Sequence, residues 1–172
     1  GTNYTEFFQF RTASHKPKPF SFVYFGDAQN DVKWMWSRVI RQAYSDLPKA
    51  AFMLHAGDLI DSANSDKQWG EWFGAGDCVN GMTPVIATPG NHEYYTVEEP
   101  DGSRRRAVSA HWRPQFTLPE NGPEGLKETV YYIDYQGTRI ISLNSNERQE
   151  EQVEWLRGVL EDNPNTWTIL TF

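Results

Sequence analysis

Three short apolar segments each end in a polar cluster, and this repetition constrains the fold more than any other feature of the chain. The clusters read Gly26-Asp27-Ala28-Gln29, Gly57-Asp58 and Gly90-Asn91-His92-Glu93. Asp58 lies 31 residues after Asp27, and Asn91 lies 33 residues after Asp58. Each interval fits one strand, a crossover and the next strand, which predicts parallel neighbours. The polar clusters are therefore expected side by side at one edge of a sheet.

The remaining segments continue a layered α/β pattern. Apolar residues at helical spacing predict helices over 31–46, 65–73 and 147–160. Short apolar runs predict strands over 20–25, 51–55, 84–88 and 166–172. A hairpin is predicted from 129–135 and 138–143, joined by Gln136-Gly137. The fold class is therefore α/β, with parallel pairs and one antiparallel hairpin.

Both ends of the chain indicate neighbouring structure. The loose alternation over 4–12 predicts a strand, so residues 1–14 are interpreted as the last strand of a preceding β-domain; an edge strand of the main sheet is the alternative. Residues 15–19 hold two prolines and two lysines and predict a linker. The chain stops on a core-type strand at Phe172, so site residues beyond it are expected to be missing; a terminal edge strand is the alternative.

Composition argues against several classes of protein. The net charge of −7 disfavours non-specific nucleic-acid binding, which needs a basic face. No apolar run approaches the ~20 residues of a membrane span. The single cysteine, Cys78, cannot form an internal disulfide, so the fold must depend on its core. The sequence gives no indication of the oligomeric state.

The polar clusters carry metal-ligand chemistry. Two aspartates brought to one edge would repel each other unless a cation offsets their charge. Carboxylate and amide oxygens suit hard or borderline cations, and a histidine nitrogen suits zinc, iron or manganese. Taken singly, each cluster is also compatible with an ordinary turn or a structural histidine. Together they predict a metal site formed by Asp27, Asp58 and Asn91, with His92 beside it.

These motifs resemble the first three motifs of the calcineurin-like metallophosphoesterases, and most closely those of the purple acid phosphatase branch. The resemblance rests on Gly-Asp-Ala-Gln, His-Ala-Gly-Asp-Leu, Gly-Asn-His-Glu-Tyr and the later Tyr-Ile-Asp-Tyr, and covers residues 20–172. It implies a four-layer α/β/β/α sandwich that is incomplete at the C-terminus, with 20–172 as the N-terminal part of the catalytic domain. Residues 1–14 resemble the end of the fibronectin-like β-domain that precedes many such domains.

The resemblance also implies a function. The protein would be a metal-dependent phosphoesterase that acts on a small-molecule phosphate ester, with hydroxide held by two divalent or trivalent ions (Fe, Mn or Zn) attacking phosphorus in line. Asp27 would bind the first ion, Asp58 would bridge both, and Asn91 would bind the second. His92 would face the substrate and stabilise the phosphate or protonate the leaving group. Localisation is expected to be secreted or periplasmic.

Three departures from the family pattern modify these expectations. Gln29 stands where many members have a histidine, and Asp61 stands where purple members have a tyrosine, so no iron–tyrosinate colour is expected. The remaining histidine motifs of the family would follow Phe172. This chain alone is therefore expected to bind metal poorly and to be inactive, and a catalytically inactive binding module is the alternative function. A phosphoryl-transfer enzyme with Asp27 as nucleophile is disfavoured by Ala28-Gln29.

Other polar residues allow two interpretations each. His55 either supports the site through a hydrogen bond or is a buried strand histidine with a satisfied ring. The segment 95–112, with Arg104–Arg106 and His111, is predicted to be a solvated loop; the alternative is a loop over the metal site that holds phosphate through its arginines. Glu93 either orients His92 or caps a turn.

Overall fold

The computed structural model describes residue 4 and residues 7–172, in which strands and helices alternate as an α/β chain. The strands are β1 (Val23–Phe25), β2 (Met53–His55), β3 (Val85–Ala87), β4 (Tyr94–Glu98), β5 (Arg104–Val108), β6 (Tyr131–Tyr135), β7 (Thr138–Ser142) and β8 (Trp167–Thr171). The helices are α1 (Trp36–Asp46), α2 (Asp66–Gly76), α3 (Cys78–Met82), α4 (Trp112–Gln115) and α5 (Gln149–Glu161), and a 3₁₀ turn covers Asn91–Glu93.

Two three-stranded sheets form the centre of the molecule. The first is parallel in the order β1-β2-β3, with Phe25 opposite His55 and His55 opposite Ala87. In the second, β7 pairs antiparallel with β6 and parallel with β8. Because β1, β2 and β3 run in one direction, the residues that follow them meet at one edge, as the sequence predicts.

Helices α1 and α2 cover one face of the first sheet. The ring of Trp36 in α1 lies 4.7 Å from that of Phe25, and the ring of Trp72 in α2 lies 5.3 Å from that of His55. The N-terminus of α2 is capped by Ser65, whose side chain accepts a hydrogen bond from the backbone N–H of Gln68. The predicted helix over 65–73 is thus confirmed, with a C-terminus three residues later.

The second sheet and α5 form the other layers. The Tyr131 hydroxyl of β6 donates to the carbonyl of Ala87 in β3, at 2.7 Å. Arg139 of β7 donates to the carbonyl of Val159 in α5, also at 2.7 Å. The resulting order of helix, sheet, sheet and helix confirms the α/β class and the predicted α/β/β/α layering. None of the helices in residues 7–172 has the length and apolar character needed to cross a membrane.

Two predicted elements differ at their boundaries or do not form. Helix α1 begins at Trp36 rather than at Asp31. Asn30 and Asp31 have left-handed backbone angles (φ 68° and 49°) that a right-handed α-helix does not include, and residues 32–35 form turns before the helix. The strand predicted over 4–12 is not formed in its described residues, namely residue 4 and residues 7–12, and residues 5 and 6 lie outside the described residues. A strand needs a partner for its backbone groups, and residues 7–12 pair with no strand in the described part of the chain.

The segment 95–112 is the main correction to the predicted fold. Instead of a solvated loop, most of it is an antiparallel hairpin in which β4 pairs with β5, Tyr94 opposite Val108. Arg104 donates to Glu98 across the pair at 2.9 Å, and Gly102 supplies the positive φ (83°) that the turn requires. The polar composition suggested a loop, but opposite charges facing each other across two strands stabilise the hairpin.

Candidate metal centre

The loops after β1, β2 and β3 are hydrogen-bonded to one another in a row. The backbone N–H of Asp27 donates to Gly57 O at 3.3 Å, and that of Gln29 donates to Asp58 O at 2.9 Å. The backbone N–H of His92 donates to the Asp58 carboxylate at 2.8 Å. The three predicted polar clusters are therefore brought together at the carboxyl edge of the first sheet.

Both aspartates occupy an unusual backbone conformation. Asp27 has φ 54° and Asp58 has φ 52°, in the left-handed region that non-glycine residues rarely adopt. Their positions are similar: Asp27 lies two residues after the end of β1, and Asp58 lies three residues after the end of β2. Residues held in this way cluster at functional sites, where the surrounding structure offsets the strain. The backbone at Asp27 and at Asp58 thus turns away from the extended strand conformation in a similar way.

Two glycines allow the loops to approach closely. Gly57 has φ 89°, and a Cβ there would lie 2.4 Å from Gly90 N. A Cβ on Gly90 would lie 2.2 Å from the Asp58 carboxylate. Only glycine fits at these two positions without moving the loops apart. The glycine that precedes each polar residue in the second and third motifs is therefore required by packing.

Glu93 holds the loops after β2 and β3 together. Its fully buried carboxylate accepts hydrogen bonds from the backbone N–H groups of Asp58 (2.9 Å), Leu59 (2.7 Å) and Gly90 (2.7 Å). Burial raises the pKa of Glu93 to about 7, against the opposing effect of these three hydrogen bonds. Glu93 thus fixes the position of Asp58. Its hydrogen bond from Gly90, the residue before the Asn91–Glu93 turn, confirms the predicted turn cap, and the hydrogen bonds from Asp58 and Leu59 go beyond either predicted role.

His92 lies beside Asp61 at the exposed side of the row. Its Nδ1 lies 2.6 Å from the backbone carbonyl oxygen of Asp61 and 3.7 Å from the Asp61 carboxylate. A carbonyl oxygen only accepts, so Nδ1 carries the proton and Nε2 is left as the acceptor of the neutral ring. The loop of Asp61 is itself held by Gln68, whose side-chain oxygen accepts from the backbone N–H of Asp61 at 3.1 Å.

The sequence prediction did not include a fourth loop, which follows β7. Asn146 donates to the carbonyl oxygens of Pro89 (3.3 Å) and Gly90 (3.2 Å), and so contacts the loop that carries Asn91. Asn144 donates to the Tyr94 hydroxyl at 2.6 Å. The available signal was the polar run Asn144-Ser145-Asn146 directly after an apolar strand, the same arrangement that marks the other three loops.

His55 is not part of the site. Its ring is buried among Phe25, Trp36 and Trp72, and neither ring nitrogen has a hydrogen-bond partner among the described residues. Burial lowers the pKa of His55 to about 3, so the ring is neutral. The structure confirms the buried strand histidine of the second interpretation but not its satisfied ring, and it shows no hydrogen bond from the ring to the site within the described residues.

The candidate ligands are oxygen donors. Asp27 and Asp58 supply carboxylates, the exposed Asn91 supplies an amide oxygen, and Gln29 donates through its amide nitrogen to the Asp27 carboxylate at 2.7 Å. Within residues 7–172, no three or more His, Cys, Asp or Glu side chains are grouped so as to hold a metal ion. Two carboxylates with neighbouring amides fit a hard or borderline cation in chemistry, as part of a ligand set.

A comparison with protein families identifies the family of the chain. The model of the calcineurin-like phosphoesterase family matches residues 20–172, which is most of the chain. The chain therefore belongs to the calcineurin-like phosphoesterase family, as the motifs predict. This membership supports a phosphoesterase-type function.

Known structures give the same result for the fold. A purple acid phosphatase from yellow lupin (Lupinus luteus) seeds is similar with a TM-score of 0.66 at 18% sequence identity. The match covers 94% of this chain and 32% of the lupin chain, so this chain spans about a third of that protein's length. No curated protein sequence matches significantly. At this identity the likeness concerns the fold.

Proposed function

We propose that this domain is part of a metal-dependent phosphoesterase that hydrolyses a small-molecule phosphate ester. The observation that carries the proposal is the meeting of the Asp27, Asp58 and Asn91 loops at one sheet edge, with both aspartates in the left-handed conformation. Carboxylates concentrated in this way need a compensating cation. The oxygen donors favour a hard or borderline ion, and iron, manganese and zinc are the proposed metals.

Each candidate residue has a separate role in the proposed mechanism. Asp27 would hold one ion, Asn91 would hold the second, and Asp58 would contribute to holding both. When bound, two such ions activate the attacking water and neutralise charge on the phosphate. Glu93 keeps the Asp58 loop in place through its three hydrogen bonds.

His92 is the proposed substrate-facing residue. Its Nδ1–H is donated to the Asp61 carbonyl, which fixes the ring and leaves Nε2 for the substrate. When the ring is protonated, the Asp61 carboxylate at 3.7 Å is its ion-pair partner. Protonated His92 donates to a phosphate oxygen or passes its proton to the leaving alcohol oxygen.

Chelation tests this function. The protein that contains this domain is treated with a chelator, and hydrolysis of an aryl phosphate is measured before treatment, after it, and after manganese, zinc or iron is returned. We expect activity to disappear and then recover. Activity that persists without metal contradicts the mechanism. The preparation with iron is expected to show no tyrosinate absorption band, because Asp61 replaces the tyrosine.

The second candidate is a catalytically inactive binding module. It is favoured by the small ligand set, since the described residues include no group of three or more His, Cys, Asp or Glu side chains that could hold a metal ion. Titration calorimetry with manganese and zinc distinguishes the two: two-ion binding with hydrolysis supports the enzyme, and binding without hydrolysis supports the module.

We further propose that the protein is secreted or periplasmic, which rests on the family resemblance.

A further inference from the structure

The hairpin of β4 and β5 starts directly after the Asn91–Glu93 turn and carries three successive arginines. Two of them have acidic partners on the opposite strand or its end: Arg104 pairs with Glu98 at 2.9 Å, and Arg105 pairs with Glu99. Arg106 has no such partner in the described part of the chain. Arg106 thus differs from Arg104 and Arg105, because no acidic side chain of the described residues neutralises its charge.

Arg106 is nevertheless held in place. Its Nη2 donates to the backbone carbonyl oxygen of Asn91 at 2.6 Å, and its guanidinium carbon lies 5.5 Å from the centre of the Tyr94 ring. The Tyr94 hydroxyl in turn donates to Glu147 and accepts from Asn144, so the ring is a fixed platform. A guanidinium bound on one edge and stacked on an aromatic face gives up little conformational freedom when it binds an anion.

The position of the Arg106 guanidinium relative to the candidate site indicates its role. The carbonyl that accepts from Arg106 belongs to Asn91, a proposed metal ligand, so the guanidinium lies at the rim of the candidate site. Its side chain is exposed, and one hydrogen bond leaves the other N–H donors of the fork available. Burial raises the pKa of the Tyr94 hydroxyl, so the ring beneath Arg106 stays neutral and offers no counter-charge.

We propose that Arg106 is a specificity-determining residue that binds a second phosphate group of the substrate, next to the phosphate that is hydrolysed. This inference rests on the proposed function. In a chain with a net charge of −7, a fixed cation beside the site attracts an anionic substrate that the rest of the surface repels. The planar fork of arginine matches phosphate oxygens with two parallel hydrogen bonds. The favoured substrate class is therefore a compound with two linked phosphates.

The test compares Arg106→Gln with the matched control Arg104→Gln. Arg104 lies on the same strand face two residues away, but its charge is already paired with Glu98. For each protein, kcat and KM are measured with a nucleoside diphosphate and with p-nitrophenyl phosphate, which has a single phosphate. We expect Arg106→Gln to raise KM for the diphosphate about 10- to 100-fold, with little change for the aryl phosphate. Arg104→Gln should change neither.

Binding is measured separately from turnover. Titration calorimetry with inorganic pyrophosphate is expected to show weaker binding to Arg106→Gln than to the wild type or to Arg104→Gln, and an intermediate affinity for Arg106→Lys. Equal pyrophosphate affinity in all four proteins overturns the proposal. So does an equal loss of kcat/KM for both substrates, which would place Arg106 on the hydrolysed phosphate. A wild type that binds pyrophosphate through Arg106 but hydrolyses nothing would contradict the proposed function alone.

Discussion

His55 and His92 lie at the ends of neighbouring strands, in surroundings that differ in almost every respect. His55 is the last residue of β2, is 1% exposed, and has aromatic rings at 5.1 to 5.5 Å. His92 lies beyond the end of β3, is partly exposed, and contacts the Asp61 carbonyl through Nδ1. The first ring has no polar partner among residues 7–172, and the second has a carbonyl and a carboxylate beside it.

The comparison shows that position relative to the strand end decides the chemistry. A residue within the strand points to one face of the sheet, and for His55 that face is covered by α1 and α2. A residue beyond the strand lies in a loop at the carboxyl edge, where ligands bind in α/β sheets. His55 is therefore buried and uncharged, whereas the partly exposed His92 is the residue proposed to face the substrate. Substitutions measured in activity and unfolding experiments test this division.

Asp58 is the residue on which the candidate site depends most. Asp58→Asn keeps an oxygen that can accept from the His92 backbone N–H but removes the charge proposed to lie between two cations. We expect a loss of several kcal/mol of transition-state stabilisation, about 10³-fold in kcat/KM with an aryl phosphate. The control is Asp77→Asn, an exposed aspartate 3.8 Å from Arg41, which should retain full activity. Equal activities would remove Asp58 from the mechanism.

The two histidines can be compared directly in the same assay. His92→Asn keeps a donor near the Asp61 carbonyl but removes Nε2, and we expect kcat to fall about 100-fold, the usual effect of losing a general acid. His55→Phe keeps an aromatic ring among Phe25, Trp36 and Trp72 and should change kcat less than about threefold, because it leaves the strand-end loops intact. A larger effect of the His55 substitution would reverse the division between the two residues.

Much of the fold and the centre of the site could be predicted from the sequence. The parallel order of β1, β2 and β3 follows from apolar runs at regular intervals, and the meeting of Asp27, Asp58 and Asn91 follows from that order. The hairpin of β4 and β5 could not be predicted in this way. Its stability comes from pairing between strands, including Arg104 with Glu98, and a polar composition does not distinguish it from a loop.

The supporting contacts of the site were less predictable than its ligands. Glu93 binds backbone groups of residues 34 and 35 positions earlier, and Asn146 reaches a loop 56 positions earlier. Such contacts depend on how the loops pack, which no local pattern encodes. The state of His55 was missed for the same reason, since an unpaired ring in an aromatic cluster is known only from its neighbours.

The buried ring of His55 predicts a dependence of stability on pH. Its pKa is about 6.5 when exposed and about 3 in the folded chain, so below pH 6.5 the unfolded chain binds a proton that the folded chain does not. The contribution of His55 to the free energy of unfolding is therefore fully present above pH 6.5 and falls as the pH decreases toward 3. We expect a contribution of about 2 kcal/mol to be lost between pH 7.5 and 5.

Urea unfolding of the wild type and of His55→Phe at several pH values measures this contribution. The two proteins differ at one titrating position, so the difference between their unfolding free energies isolates His55 from Glu93 and the other acids. The difference should grow steadily as the pH falls. A constant difference across that range would mean that His55 gains a proton in the folded chain as easily as in the unfolded one.

At neutral pH the same substitution tests the cost of the unpaired nitrogens. Neither ring nitrogen of His55 finds a partner in the described chain, and an unpaired buried polar group costs about 1–3 kcal/mol. Phenylalanine removes that cost, while its different shape gives back part of the gain through strain in a packed core. We expect His55→Phe to raise the free energy of unfolding by about 1 kcal/mol.

His55→Ala, which also removes the nitrogens but leaves a cavity between Trp36 and Trp72, should lower it by about 2–4 kcal/mol. A phenylalanine variant less stable than the wild type would mean that the strain of the new ring exceeds the cost of the unpaired nitrogens.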